Sequence, residues 1–502
     1  MANEEHSDTA AADKPQRPIK PVDDLVSTQH TLTVDGQELR YTATAGRVVL
    51  RQEVHTDGKF DGLQPKAEVF LTAYTLDLAD SADSAEAADR PVTFAFNGGP
   101  GSSSVWLHLG LLGPRRVVSG DVGELAPPPY AIVDNAETLL KHSDVVFIDP
   151  VSTGFSRAAE GEKPADYHGF TRDLESVGEV IRLWTSRNGR WMSPKFLAGE
   201  SYGTTRAAGL AAHLQERYGM YLNGVILISA VLEFGTLDFT PGNDLPYTLF
   251  LPSYAAIAHY HGLVPDRTLE EVLADAERFA AGRYPNALAQ GNRIPADYRA
   301  EVVERLAALT GLSADYIDRV NLRIEHERFF AELLRPSRRT VGRLDGRFTG
   351  WNADYGLEKP DRDPSMSAII GPYSAALNHY VRVELGYHND LPYEIINLDV
   401  NRNWSFKEFE GQQITVAEKL AEAMRTNPHL KVHVASGHYD GATPYFATEH
   451  TLARLQLPAD LTPNIETKYY PAGHMMYVHD DSRIQQSADL AAFITSASNR
   501  GS

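Results

Sequence analysis

An α/β architecture, with a central and mostly parallel sheet between helical layers, is the fold class that this 502-residue sequence predicts. Short apolar runs recur at 92–96 (VTFAF), 144–150 (DVVFIDP), 195–199 (KFLAG), 224–231 (GVILISAV) and 431–437 (KVHVASG). This is the pattern of strands buried on both faces. Helical spacings separate several of these runs. Phe170, Leu174, Val177, Ile181 and Trp184 share one helical face, and Leu420 and Met424 stand four apart just before KVHVASG. Strand alternating with helix indicates α/β layers, and a 42% hydrophobic composition supplies enough apolar surface for a large core.

Taken in order, residues 1–28 are polar, carry Pro15, Pro18 and Pro21, and contain no apolar stretch of the kind a secretory signal needs. They are expected to form a disordered leader. The chain is read as cytoplasmic as the sequence stands, and as exported if a signal has been removed. From Thr31 to Arg51 the alternation around Gly36 and Gly46 predicts antiparallel strands. AEVFLTAYTLDL predicts another, and ADSADSAEAADR reads as an acidic surface loop. The α/β core is expected to occupy 29–235 and 371–499. Between them, over 236–370, the strand runs vanish. Thr268 with Glu271 forms a capping box ahead of LEEVLADAERFAA, AEVVERLAAL fits a further helix, and Ser313 is placed to cap the next. This block reads as a helical lid inserted between two late strands, with a separate second domain as the rival reading.

Composition narrows the function. There are 47 Lys and Arg against 67 Asp and Glu, a net charge of −20. That balance argues against nucleic acid or an anionic membrane as partner, and no stretch reaches the roughly 18 apolar residues of a membrane span. With no cysteine, thiolate metal sites, iron–sulfur clusters and cysteine nucleophiles are excluded together. No metal or other cofactor is expected. His259 with His261, and Glu325-His326-Glu327, lack the spacing of a helical zinc motif.

The sharpest signal is Gly199-Glu200-Ser201-Tyr202-Gly203, a G-x-S-x-G sequence between the strand KFLAG and the small-residue helix TTRAAGLAAHLQ. Glycines allow the sharp strand-to-helix turn that exposes a serine hydroxyl above a sheet edge. A serine needs a base and an oriented acid. Asp440, after VHVASG, and His474, after TKYYPA, follow in the order Ser, Asp, His, each in a loop beyond the C-terminal end of a strand. The third part is Asn97-Gly98-Gly99-Pro100-Gly101-Ser102-Ser103-Ser104, directly after VTFAF. Its glycines free backbone amides to hold an oxyanion. Together these make the fold an α/β-hydrolase fold with a helical lid.

These segments closely resemble the serine carboxypeptidase family. The N-G-G-P-G-x-S-S loop stands at 97–104, G-E-S-Y at 199–202, G-x-x-D at 437–440 and G-H-M at 473–475, in the family's order, and the likeness runs from roughly residue 30 to 497. It implies removal of C-terminal residues from peptides that end in a free carboxylate, through an acyl-enzyme on Ser201. His474 would shuttle the proton, Asp440 would hold the imidazole, and the Gly99 and Tyr202 amides would form the oxyanion hole. Asn97, Glu200 and the Gly98 amide would grip the terminal carboxylate.

Two positions depart from the family's pattern. Many members carry a second Glu before the Leu-Gly-Pro that follows the oxyanion loop, where this chain has Leu111. Glu200 beside the substrate's anionic carboxylate requires one of the two groups to be protonated, so acidic pH should favour binding. Without the second Glu the pH optimum is expected to lie higher than is usual. The other is Ser102, where many eukaryotic relatives have a disulfide cysteine, which points to a bacterial-type member. An esterase or acyltransferase using the same triad, and a catalytically dead binding protein, are the rival readings. Tyr254, Tyr260, Phe329, Phe330 and Trp351 are read as lid core rather than pocket lining.

Overall fold

Alternation of side chains along the first strands sets the edge of the sheet. The computed structural model describes residues 21–34, 36–77, 89–119, 122 and 126–499. In it β1 (Asp24–Val34), β2 (Gln37–Thr56) and β3 (Lys59–Leu76) form an antiparallel meander. The expected leader is too long at its C-terminal end. Asp24 already pairs with Arg47, because the period-two pattern that buries Leu32 and Val34 extends back through His30, Thr28 and Val26. Residues 1–20 of that leader, and 79–88 of the acidic stretch, lie outside the described residues.

Six further strands continue the main path of the sheet: β4 (Val92–Phe96), β5 (Asp144–Ile148), β6 (Lys195–Glu200), β7 (Gly224–Ile228), β8 (Lys431–Gly437) and β9 (Ile465–Tyr470). The spatial order is β1-β2-β3-β5-β4-β6-β7-β8-β9. β5 meets β3 antiparallel, and every later pairing is parallel. All residues of β4 to β7 are buried, which is why they read as continuous apolar runs. This is the α/β-hydrolase fold.

Helices cover both faces. α1 (Phe170–Arg187) and α2 (Tyr202–Tyr218) lie on one. There Phe170, Leu174, Val177, Ile181 and Trp184 pack into one apolar cluster, together with Leu420 and Met424 from a helix before β8. Between β7 and β8 stand α3 (Leu251–Tyr260), α4 (Leu269–Ala281) and α5 (Ala296–Thr310), packed on a core of their own. The Thr268–Glu271 capping box closes reciprocally, with Thr268 N–H donating to Glu271 Oε2 at 3.0 Å and Glu271 N–H to Thr268 Oγ1 at 3.3 Å. Ser313 Oγ accepts from Tyr316 N–H at 3.2 Å.

Two details differ from the expected block. A two-residue strand pair, Thr340–Val341 with Thr349–Gly350, lies inside it. Its expected end at 370 falls within α6 (Pro364–His379), whose Ile369, Tyr373 and Leu377 pack into the cluster on the other face of the sheet. The chain order reverses at β4. The path leaves it for β5 on one side and returns to β6 on the other, so the C-terminal ends of β4 and β6 open a crevice at the switch point.

Candidate active site

Ser201 sits directly at that crevice. β6 ends at Glu200, α2 begins at Tyr202, and Ser201 between them adopts φ 58° and ψ −128°, a backbone conformation that costs an L-residue energy. Its N–H donates to Ile228 O at 3.0 Å, and its carbonyl accepts from Thr204 N–H at 2.8 Å. A Cβ at position 199 would collide with Gly203 O, so the turn closes only over a glycine.

The loop after β4 lies on this elbow. A Cβ at Gly98 would strike the Tyr202 amide nitrogen, which shows how closely the two backbones approach. Among the described residues, neither the Gly99 nor the Tyr202 N–H donates to a backbone carbonyl. A distant segment clasps the loop from outside: Asn397 N–H donates to Gly101 O at 2.8 Å, Ser103 N–H to Ile395 O at 2.9 Å and Asn401 Nδ2 to Gly99 O at 3.1 Å. Buried Asp149 fixes the loop's far end. It accepts from Ser104 N–H and Oγ, and from Tyr393 OH at 2.8 Å.

His474 and Asp440 come together in the loops after β9 and β8. His474 Nδ1 lies 2.8 Å from Asp440 Oδ2, and both side chains are buried. The carboxylate is held from behind, Oδ1 accepting from Ala442 N–H and Thr443 N–H and Oδ2 from Thr443 Oγ1 at 2.8 Å. The His474 backbone is pinned at both ends, its N–H to Leu344 O and its carbonyl to Ser229 Oγ, each at 2.6 Å. Burial pulls the imidazole down, but the charge and hydrogen bond of Asp440 and the charge of Glu200 outweigh it, so its pKa is raised. Among the described residues no hydrogen bond joins Ser201 Oγ to His474. Such contacts are often loose before substrate binds.

Beside Ser201 lies a second buried acid. Glu200, 3% exposed, accepts from Asn97 Nδ2 through Oε1 at 2.8 Å and from Tyr477 OH through Oε2 at 2.6 Å. Burial pushes it up to about 7, against the opposing pull of His474, Tyr477 and Asn97 and with a smaller push from Asp440. Asn97 is itself locked, its Oδ1 accepting from Leu107 N–H at 3.1 Å and its carbonyl from Arg206 Nη1 at 2.6 Å. Arg206 is fully buried and paired with Asp173 at 2.7 Å.

A model of the family described as Serine carboxypeptidase matches residues 79–488. The chain belongs to the serine carboxypeptidase family. It is thus a hydrolase of that family, with the α/β-hydrolase fold seen in the sheet order. No curated protein matches the sequence. Among solved structures, a proline iminopeptidase from Mycobacterium smegmatis is similar at 13% identity and a TM-score of 0.36, over 89% of this chain and 99% of that one. A thermostable carboxyl esterase from Bacillus coagulans is similar at 14% identity and a TM-score of 0.36, over 90% and 99%. A haloalkane dehalogenase variant from Bradyrhizobium elkanii stands at 11% and 0.30, over 89% and 97%. At these values the likenesses carry no argument about chemistry.

The other singled-out residues sit apart from this cluster of the family member. His259 Nε2 and His261 Nε2 bond the carbonyls of Arg267 and Gly346, and His326 stacks on Phe239. Tyr254, Phe329 and Phe330 are buried in the helical block, whereas Tyr260 and Trp351 are 45% and 69% exposed, so the reading of all five as core fails for these two. Leu111 is buried in the apolar cluster. Tyr477, Thr443, Ser229 and the Asp173–Arg206 pair were not visible as site residues in the sequence. Tyr477 and Thr443 stand three residues after His474 and Asp440, and that nearness is the local signal that points to them.

Proposed function

We propose that this protein is a serine-type carboxypeptidase that hydrolyses the last peptide bond of peptides ending in a free carboxylate. The observation that carries the reading is the buried Asn97–Glu200 pair adjoining Ser201, whose carboxyl keeps a proton to about pH 7. A buried carboxyl that stays neutral donates a hydrogen bond to an incoming anion where an ionised one would repel it.

In this mechanism the terminal carboxylate is held by Asn97, the Gly98 amide and protonated Glu200. Ser201 Oγ attacks the scissile carbonyl carbon while His474 Nε2 takes the hydroxyl proton, and Asp440 stabilises the imidazolium. The Gly99 and Tyr202 amides receive the oxyanion; among the described residues no backbone carbonyl competes for them. Collapse breaks the C–N bond, His474 gives its proton to the leaving amine, and the C-terminal amino acid departs. Water then attacks the acyl ester by the same steps, with His474 as base, and Ser201 regains its proton. No step needs a cofactor.

A fluorophosphonate probe tests the nucleophile. One adduct on Ser201, absent from Ser201→Ala, is expected. Labelling of another serine, or equal labelling of the variant, would overturn the assignment.

A further inference from the structure

Leu111 leaves the carboxyl grip without a second carboxyl. Tyr477 OH lies on the open oxygen of Glu200, 2.6 Å from Oε2, while Asn97 occupies Oε1. Tyr477 reaches this place because position 110 is glycine: a Cβ there would collide with the Tyr477 ring and crowd the Tyr373 hydroxyl. Both phenols and Leu111 are buried in one apolar cluster. Burial and the charge of Glu200 raise the Tyr477 phenol well above its usual value, so it stays a donor throughout the range in which Glu200 titrates. A partner carboxyl would titrate alongside Glu200, and the two would share coupled steps.

Resting on the reading given under Proposed function, we propose that Tyr477 is a positioning residue for substrate recognition. Its hydroxyl fixes the orientation and proton occupancy of Glu200, so the grip holds one titrating carboxyl rather than a pair. The groups facing Glu200 are Asn97 from the loop after β4, His474 and Asp440 from the loops after β9 and β8, Tyr477 from the turn after His474, and Tyr373 from α6. Among the described residues only Tyr477 and Asn97 hydrogen-bond its oxygens. A donor to a carboxylate favours the ionised form. Removing the Tyr477 hydroxyl therefore leaves Glu200 protonated to higher pH and extends carboxylate binding with it.

The test is the pH dependence of KM for N-benzyloxycarbonyl-Phe-Leu as the free acid, with the corresponding amide alongside. For the native enzyme KM should rise tenfold per pH unit above one midpoint. Tyr477→Phe should move that midpoint upward by about one pH unit, the size expected from one hydrogen bond to a charged group. In a Glu200→Gln background the limb should be flat and Tyr477→Phe silent in it. A purely structural role would alter kcat or melting without moving the limb. An unmoved midpoint in folded Tyr477→Phe, or a shift that persists beside Glu200→Gln, overturns the proposal. So does a native limb steeper than one proton, which needs no variant. If the native enzyme turns over acid and amide equally, the carboxypeptidase reading itself fails, and this proposal falls with it. A preference for the acid with an unmoved limb sinks this proposal alone.

Discussion

His474 Nδ1 and Asp440 Oδ2 stand 2.8 Å apart in a buried pocket where Thr443 and two backbone amides hold the carboxylate from its other side. The acid is thus fixed as an acceptor and the imidazole must present Nε2 outward. Asp440→Asn should reverse that preference and lower kcat by about 10⁴-fold, as loss of the orienting carboxylate does in other triads. Because Asp440 raises the His474 pKa, the acid limb of the residual activity should also move to lower pH. A pH–kcat profile of the variant checks both effects.

The backbone of Ser201 predicts a trade between activity and stability. With φ at 58°, Ser201→Gly should relieve strain and stabilise the fold by about 1 kcal/mol. Ser201→Ala keeps the strain. Both should lower kcat by about 10⁶-fold. Thermal melts of the two variants beside the native protein make the comparison.

Glu200 should make the native protein less stable as pH rises. Its carboxyl keeps a proton to about 7 when folded, against an ordinary value of 4.5. Between these values the unfolded chain has released the proton and the folded chain has not, so raising the pH favours unfolding. The stability present below 4.5 is lost as pH rises and levels off above 7. Glu200→Gln removes this loss. It should be near-neutral at pH 4.5 and stabilising at pH 8 by on the order of 3 kcal/mol, read as a Tm difference that opens with pH.

The Arg206–Asp173 pair underpins Asn97, since the same guanidinium holds the Asn97 carbonyl. Arg206→Met should destabilise the fold by about 3–5 kcal/mol by leaving Asp173 buried and unpaired. Asp173→Leu added to Arg206→Met should recover part of that loss. Chemical denaturation of single and double variants measures it.

Much of the candidate site is legible in the sequence because its residues sit in short segments at strand ends. Ser201, Asp440 and Asn97 each follow a buried apolar run, His474 follows the more exposed edge strand IETKYY, and α/β sheets gather such positions along one edge. What was not legible arises between segments far apart in sequence. Nothing local announces that Ile395 and Asn397 clasp the loop at 101–103, or that Asp173 pairs with Arg206. The start of β1 is obscured because in Asp24–Gln29 the inward Val26 and Thr28 are only partly buried and the apolar Leu25 faces outward. Tyr260 and Trp351 were misplaced because aromatic type alone does not tell a core position from an exposed one.

The most direct measurement is release of the C-terminal amino acid from an N-blocked dipeptide free acid between pH 4 and 8. The matching C-terminal amide and a simple ester run alongside, with Ser201→Ala as the blank. A carboxypeptidase should cleave the free acid at least about tenfold faster than the amide, the margin expected from one charge-assisted hydrogen bond, and the preference should fade above pH 7 as Glu200 ionises. Equal rates on acid and amide, or turnover of the ester alone, would contradict the carboxylate grip and leave an esterase or acyltransferase in its place.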